Sequence, residues 1–340
     1  MELRESRKLD HIKETLSLYD NYEDYFKEIA LIPSSSSTSD LQAIDLNINL
    51  YGKSLSAPLL INAMTGGAPG LEKYNEAFAL AAKEHNIALA VGSQKAGLVN
   101  KELIKTYSIV RKVNQKGLIF SNLSALEEID SMKAAVDMIE ADALQLHINH
   151  GQELSMTEGD RNFSRLLNNI EKAVKTINVP IIVKEVGTGI SKEAAVIFSE
   201  IGVKSFDVGG AGGTNFPLIE ERRYGKKTSL LSSFGIPTPV SIIEVRNVQP
   251  EAIIFASGGI RNSTQIAKSL VLGGDVAGIA AYFLKTFTED GINGLSYEIE
   301  KIINELKMIF LVLGFKDLND TKNRKYILKN EIKDWIDQRI

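Results

Sequence analysis

Residues 180–186 read Pro180-Ile181-Ile182-Val183-Lys184-Glu185-Val186, apolar until the lysine, with Gly187 next. A strand wet on one face would alternate apolar and polar residues; a run without alternation suits a parallel strand covered on both faces. Similar runs stand at 58–63, 87–91, 118–122 and 143–148 before it, and at 205–208, 253–257 and 276–283 after it. Amphipathic segments of helical period separate them, at 71–86, 131–141, 163–177, 192–201 and 264–272. Eight strand–helix units in roughly 230 residues match the ~250 residues of a (β/α)8 barrel. The expected fold class is therefore α/β, a TIM barrel. A doubly wound sheet is the alternative, but it usually has fewer strands and a nucleotide loop after the first.

Residues 1–57 precede the first barrel strand and form an N-terminal extension; 58–340 form the barrel domain. The connection from Val208 to Ile253 is too long for a loop and one helix, so an insertion after strand six is expected over the active-site face. It carries an apparent helix at 240–247. A closing amphipathic helix at 295–314 stops at Gly314.

The 340 residues carry 39 Lys+Arg against 43 Asp+Glu, a net charge of −4. That balance argues against a general nucleic-acid surface. No run approaches the ~20 apolar residues of a membrane span. The start, Met1 to Lys8, lacks the apolar core of a secretory signal, so the expected location is cytoplasmic. Zero cysteines exclude disulfides, thiolate zinc sites and cysteine nucleophiles.

Chemistry-bearing residues cluster just after the expected strands, where barrel active sites are built. Ala63-Met64-Thr65-Gly66-Gly67 follows the first; its glycines permit close backbone approach to a planar ligand, although a tight turn would use them too. Gly92-Ser93-Gln94-Lys95 follows the second, and Ser121-Asn122 ends the third. The fourth runs into His147-Ile148-Asn149-His150-Gly151-Gln152-Glu153. In an extended chain His147 and Asn149 share a face. Gln152 and Glu153 set an amide beside a carboxylate suited to Mg²⁺. Zinc on His147 and His150 is disfavoured in a chain with four histidines and no cysteine. Lys184 is costly to bury unless paired. It either faces an anionic cofactor, the favoured reading, or bridges to a neighbouring carboxylate.

Two nucleotide motifs fail. Gly209-Gly210-Ala211-Gly212-Gly213-Thr214 imitates a dinucleotide fingerprint, but Pro217 and the insertion follow instead of an immediate helix, and the later acidic residue is absent. Gly52-Lys53-Ser54 imitates a P-loop ending, with Asn47 where the first glycine should stand. By contrast, Gly258-Gly259-Ile260-Arg261, leading into a helix near Asn262, and Gly278-Ile279-Ala280-Ala281 follow strands seven and eight. Those loops form the usual phosphate site of such barrels. At the N-terminus Arg7 and Lys8 stand four and three residues before His11, on one helical face. Adjacent cations suit a diphosphate, although a solvated basic face has the same spacing.

In this order the motifs resemble the type II, FMN-dependent isopentenyl-diphosphate isomerases, across nearly the whole chain. The resemblance implies that Arg7, Lys8 and His11 bind the substrate diphosphate, with Ser93, Gln94 and Lys95 near the substrate. FMN would contact Ala63, Met64, Thr65, Gly66, Ser93, Asn122, Lys184, Thr214, Gly258, Gly259, Arg261, Ala280 and Ala281. Gln152, His147, Asn149 and Glu220 would form the catalytic group, and Glu153 would ligate Mg²⁺. The implied activity interconverts isopentenyl and dimethylallyl diphosphate with reduced FMN, NADPH serving only as the flavin's reductant, in a homo-oligomer of four or eight chains. Alternatives are an FMN oxidoreductase of a hydroxy acid or dihydropyrimidine on the same barrel, and a silent phosphate-binding barrel. Hydroxy-acid oxidation generally needs a late histidine, and the last one here is His150.

Overall fold

The computed structural model describes residues 2–225, 230–322 and 324–340. Its strands are β1 (Ile29–Leu31), β2 (Ile48–Leu50), β3 (Lys53–Leu55), β4 (Leu59–Ile61), β5 (Ala88–Ala90) and β6 (Ile119–Ser124). There follow β7 (Ala143–Ile148), β8 (Ile181–Glu185), β9 (Ser205–Asp207), β10 (Ile253–Ser257), β11 (Val276–Ile279) and β12 (Tyr326–Leu328). β4 to β11 run parallel and close a barrel in chain order, β11 returning to β4 with Ala277 beside Leu59. This is the (β/α)8 fold.

Side chains divide by the period of two. Leu60, Ala88, Phe120, Ala143, Ile182, Phe255 and Val276 fill the lower barrel, while Leu59, Leu89, Leu144, Val183 and Ile254 face the helices. The β2–β3 hairpin closes the bottom with Leu50 and Leu55. Its turn is Tyr51-Gly52, both at positive φ, which matches the twist of paired strands. Lys53 and Ser54 are therefore hairpin residues, in keeping with the failed P-loop reading.

β7 and β10 lie where the sequence places them to the residue. The last strand does not: it stops at Ile279, and a helix runs from Ala281 to Leu313 with a kink at Gly291. Ala281 to Phe283 continue the apolar run because that helix is also buried, and periodicity cannot separate the two. Gly314 caps the helix in the left-handed region, as read. A second correction concerns Pro217. An eight-residue helix, Phe216–Arg223, follows the glycine string at once; Asn215 caps it and Pro217 sits in its first turn, where a missing N–H costs nothing. The insertion's second helix is Thr238–Val248.

Both chain ends fold back onto the barrel. β1 pairs antiparallel with β12, and the Glu28 carboxylate accepts the Ile332 N–H at 3.0 Å. Arg339, at the end of helix Asn330–Arg339, pairs with the buried Glu244 and with Glu193. Helix Glu2–Leu18 lies across the carboxyl end of the barrel against Phe216–Arg223. No helix among the described residues is long and apolar enough to cross a membrane.

Candidate active site

The carboxyl ends of the strands, the insertion and helix Glu2–Leu18 enclose a cavity of about 310 Å³. Its floor is a buried polar layer. Asp207, at the end of β9, is fully buried, and its Oδ2 accepts from Asn62 Nδ2 at 2.7 Å and Gln145 Nε2 at 3.2 Å. Lys184 Nζ pairs with the same oxygen at 2.9 Å, and the Ser257 hydroxyl donates to Oδ1. Asn122 Nδ2 donates to Gln145 Oε1 at 3.0 Å, and Asn122 Oδ1 lies 3.0 Å from His147 Nδ1. Burial, with help from Lys8 and Lys184, pushes the His147 imidazole down to about 3, so it is neutral near pH 7. The ion-pair explanation of Lys184 holds, its partner being Asp207, and the side chain also lines the cavity.

One wall carries the residues after β7. Asn149 Nδ2 donates to Gln152 Oε1 at 3.2 Å and to Glu153 Oε1 at 2.9 Å, while the Asp160 N–H donates to Glu153 Oε2 at 2.8 Å. Gln152 Nε2 donates to Glu220 Oε1 at 3.1 Å, and His11 Nε2 meets that oxygen at 2.6 Å. Burial pushes the Glu220 carboxyl up, but His11, Gln152 and Arg223 outweigh it and hold it at about 2. An ionised Glu220 only accepts, so His11 Nε2 carries the proton. Arg223 extends the latch to Asp10 at 3.2 Å. The N-terminal helix is thus tied through one carboxylate to the amide on the barrel wall.

From the lid, Arg7, Lys8 and His11 all line the cavity. Among the described residues Lys8 is held only by the Ser93 carbonyl at 3.4 Å, and burial, with Arg7 beside it, pushes its ammonium down to about 8. A half-buried cation with no carboxylate partner among the described residues favours an anion.

The far end is lined by Gly213, Thr214, Gly258, Gly259, Arg261, Ala280 and Ala281. Gly258 and Gly259 take positive φ, and a Cβ on Gly213 would lie 2.6 Å from the Gly259 nitrogen, so the loops after β9 and β10 interlock only with glycine there. The N–H groups of Gly259 and Ile260 find no backbone acceptor among the described residues. The Arg261 guanidinium stands 5.0 and 5.1 Å from the ring centres of Tyr19 and Tyr22. Free N–H groups beside an arginine make an anion cradle.

Four expected residues do not line the cavity. Thr65 turns its hydroxyl to Asn75 at 2.5 Å, and Gly66 is pressed against the Tyr107 ring. Gln94 is buried behind the wall, accepting from Ser121 and the Asn122 N–H and donating to the Ala135 carbonyl. Glu220 acts from behind Gln152. The others come together in the one cavity. The sequence reading missed Asn62, Gln145 and Asp207, and the lid residues Ile12, Thr15, Tyr19 and Tyr22. A polar residue inside an otherwise apolar strand was the available signal for the first group. No three His, Asp or Glu among the described residues are grouped to hold a metal. A cation at Glu153 would need oxygens from its substrate, which suits Mg²⁺.

Residues 110–328 match the family model of the FMN-dependent dehydrogenases. The chain is 41% identical over 338 residues to the isopentenyl-diphosphate delta-isomerase of a Geobacillus species, covering 99% of this chain and 97% of the relative. It is 41% identical over 336 residues to that of Moorella thermoacetica, with the same coverage. A solved mandelate oxidase variant with a monooxide FMN adduct aligns with a TM-score of 0.67 at 14% identity, over 93% of this chain and 92% of that one. A flavocytochrome b2 variant with benzoylformate gives 0.67 at 19% identity, over 92% and 79%. Identities so low speak to the fold alone, whereas the full-length matches reach further. The chain belongs to the isopentenyl-diphosphate delta-isomerase family, on the barrel of the FMN-dependent dehydrogenases.

Proposed function

We propose that the protein interconverts isopentenyl diphosphate and dimethylallyl diphosphate, using reduced FMN and Mg²⁺, with NADPH as the flavin's reductant. One observation carries the reading: a single cavity joins an anion cradle, a neutral amide–carboxylate wall and a cationic lid. The residues fit FMN. The glycines let the loops after β9 and β10 pack backbone to backbone at the cavity edge, and the Gly259 and Ile260 N–H groups, Arg261, Ala280 and Ala281 would hold its phosphate. Lys184 would stand by the ring, with Thr214, Ala63, Met64, Ser93 and Asn122 around it. When bound, the reduced flavin would supply acid–base capacity for a proton shift across an unactivated alkene.

The chain's own part is to bind, orient and enclose. Arg7, Lys8 and His11 of the extension 1–57 would clamp the diphosphate, beside Ser93 and Lys95, and Glu153 would hold Mg²⁺ against it. Gln152, fixed by Asn149 and Glu220, would orient the hydrocarbon end. The lid helix excludes water from the reacting carbons. A cytoplasmic homo-oligomer of four or eight chains completes the proposal; exposed Tyr297, Met308 and Val312 on one face of helix Ala281–Leu313 support self-association.

The test is anaerobic incubation with FMN, Mg²⁺, NADPH and isopentenyl diphosphate. Dimethylallyl diphosphate is the expected product; fully reduced, bound flavin with no allylic product would remove the reading. Two further results are expected. Lys8 loses its proton as pH rises through about 8, and an anionic substrate favours the protonated form. KM should therefore stay flat below about pH 7 and climb above 8, and Lys8→Met should abolish the bend. Glu153→Gln keeps the Asn149 contact but removes the charge, so the Mg²⁺ concentration for half-maximal rate should rise at least about tenfold. An unaltered metal titration would separate Glu153 from the cation.

A further inference from the structure

We propose that Asp207 is a positioning residue: through Gln145 and Asn122 it fixes His147 in the tautomer that presents the bare Nε2 to the cavity. A carboxylate only accepts hydrogen bonds, so both amides beside it must turn their NH₂ groups inward. Asn62 Nδ2 does so at 2.7 Å and Gln145 Nε2 at 3.2 Å. Asn62 Oδ1 then accepts Gln145 Nε2 at 3.1 Å and the Ala63 N–H at 2.8 Å, a second lock on both amides. With its NH₂ committed, Gln145 offers Oε1 outward, and Asn122 Nδ2 donates to it at 3.0 Å. Asn122 must then show Oδ1 to the histidine, 3.0 Å from Nδ1. An oxygen there requires Nδ1 to carry the proton.

The direction of every bond is thus set at the carboxylate and handed on, one amide at a time. Burial makes the chain strict, because water cannot substitute for a reversed amide: Asp207 and Gln145 are fully buried, and Asn62 and Asn122 are 3% exposed. Lys184 and Ser257 satisfy the rest of the carboxylate, so both of its oxygens are engaged. His147 Nε2 meets no hydrogen-bond partner among the described residues, and the ring lines the cavity. Its lone pair would accept from an N–H or O–H donor of the bound cofactor or substrate. That last role rests on the isomerase reading; the tautomer does not.

The experiment is nitrogen NMR of the full-length, histidine-labelled protein, with and without FMN. Four histidines make the spectrum tractable, and loss of one signal set in His147→Gln assigns it. The wild type should show His147 neutral, with a protonated Nδ1 and an unprotonated Nε2. Gln145→Met cuts the relay while leaving the Lys184–Asp207 pair, and Asp207→Ala removes its origin. In each, the single tautomer should be lost and protonated Nε2 should appear. If Asp207→Ala does not fold, Gln145→Met decides alone. An unchanged Nδ1–H signal in the folded variants overturns the proposal. These signals do not depend on turnover, so loss of the isomerase reading would leave them standing.

Discussion

Replacing Gln152 with alanine is expected to lower kcat by about 10²–10³-fold while FMN binds as before, the loss typical when one preorganised polar group is removed from a reacting centre. The side chain is prepared for such a role. Asn149 donates to its oxygen and Glu220 accepts from its nitrogen, so the amide cannot turn over. Glu220 stays ionised because His11 and Arg223 also donate to it. Among the described residues no hydrogen bond or ion pair joins that group to the loops after β10 and β11 that would hold the flavin phosphate. Steady-state kinetics set beside a flavin fluorescence titration separate the two effects. A near-wild-type kcat would show that Gln152 only braces the lid.

Lys184→Met is expected to cost about 3–5 kcal/mol of folding stability, because one partner of a buried ion pair is removed and the other stays charged. Asp207 is fully buried and Lys184 is 7% exposed, so water cannot compensate. The three remaining donors to Asp207 soften the penalty without removing the charge. The double replacement Lys184→Met, Asp207→Asn should recover most of the loss, since replacing both members of a buried pair is often close to neutral. Urea unfolding of the two single variants and the double variant measures this. Equal stability of Lys184→Met and the wild type would mean that the pair contributes nothing.

The barrel was legible because its strands are covered on both faces, which writes them as apolar runs that other structure rarely imitates. Where a buried helix follows a buried strand, as at Ala280 to Phe283, the same signal runs on and the boundary is lost. Most of the site was legible as well, since small polar residues and glycines stand at successive strand ends. What the sequence withholds is direction. Ser93 lines the cavity and its neighbour Gln94 points behind it, a choice made by local backbone geometry rather than residue type. The floor was hidden for a related reason: Asn62 follows β4 while Gln145 and Asp207 lie on β7 and β9, and only barrel closure brings them within 3.2 Å of one another. For Lys184 the pairing alternative was visible, but its partner was not.

A structure of the protein with FMN and isopentenyl diphosphate tests the arrangement most directly. The account predicts the flavin phosphate on the Gly259 and Ile260 N–H groups beside Arg261, its ring against Lys184, and the substrate diphosphate under Arg7 and Lys8. A flavin held outside this cavity, or a diphosphate seated away from the N-terminal helix, would contradict it.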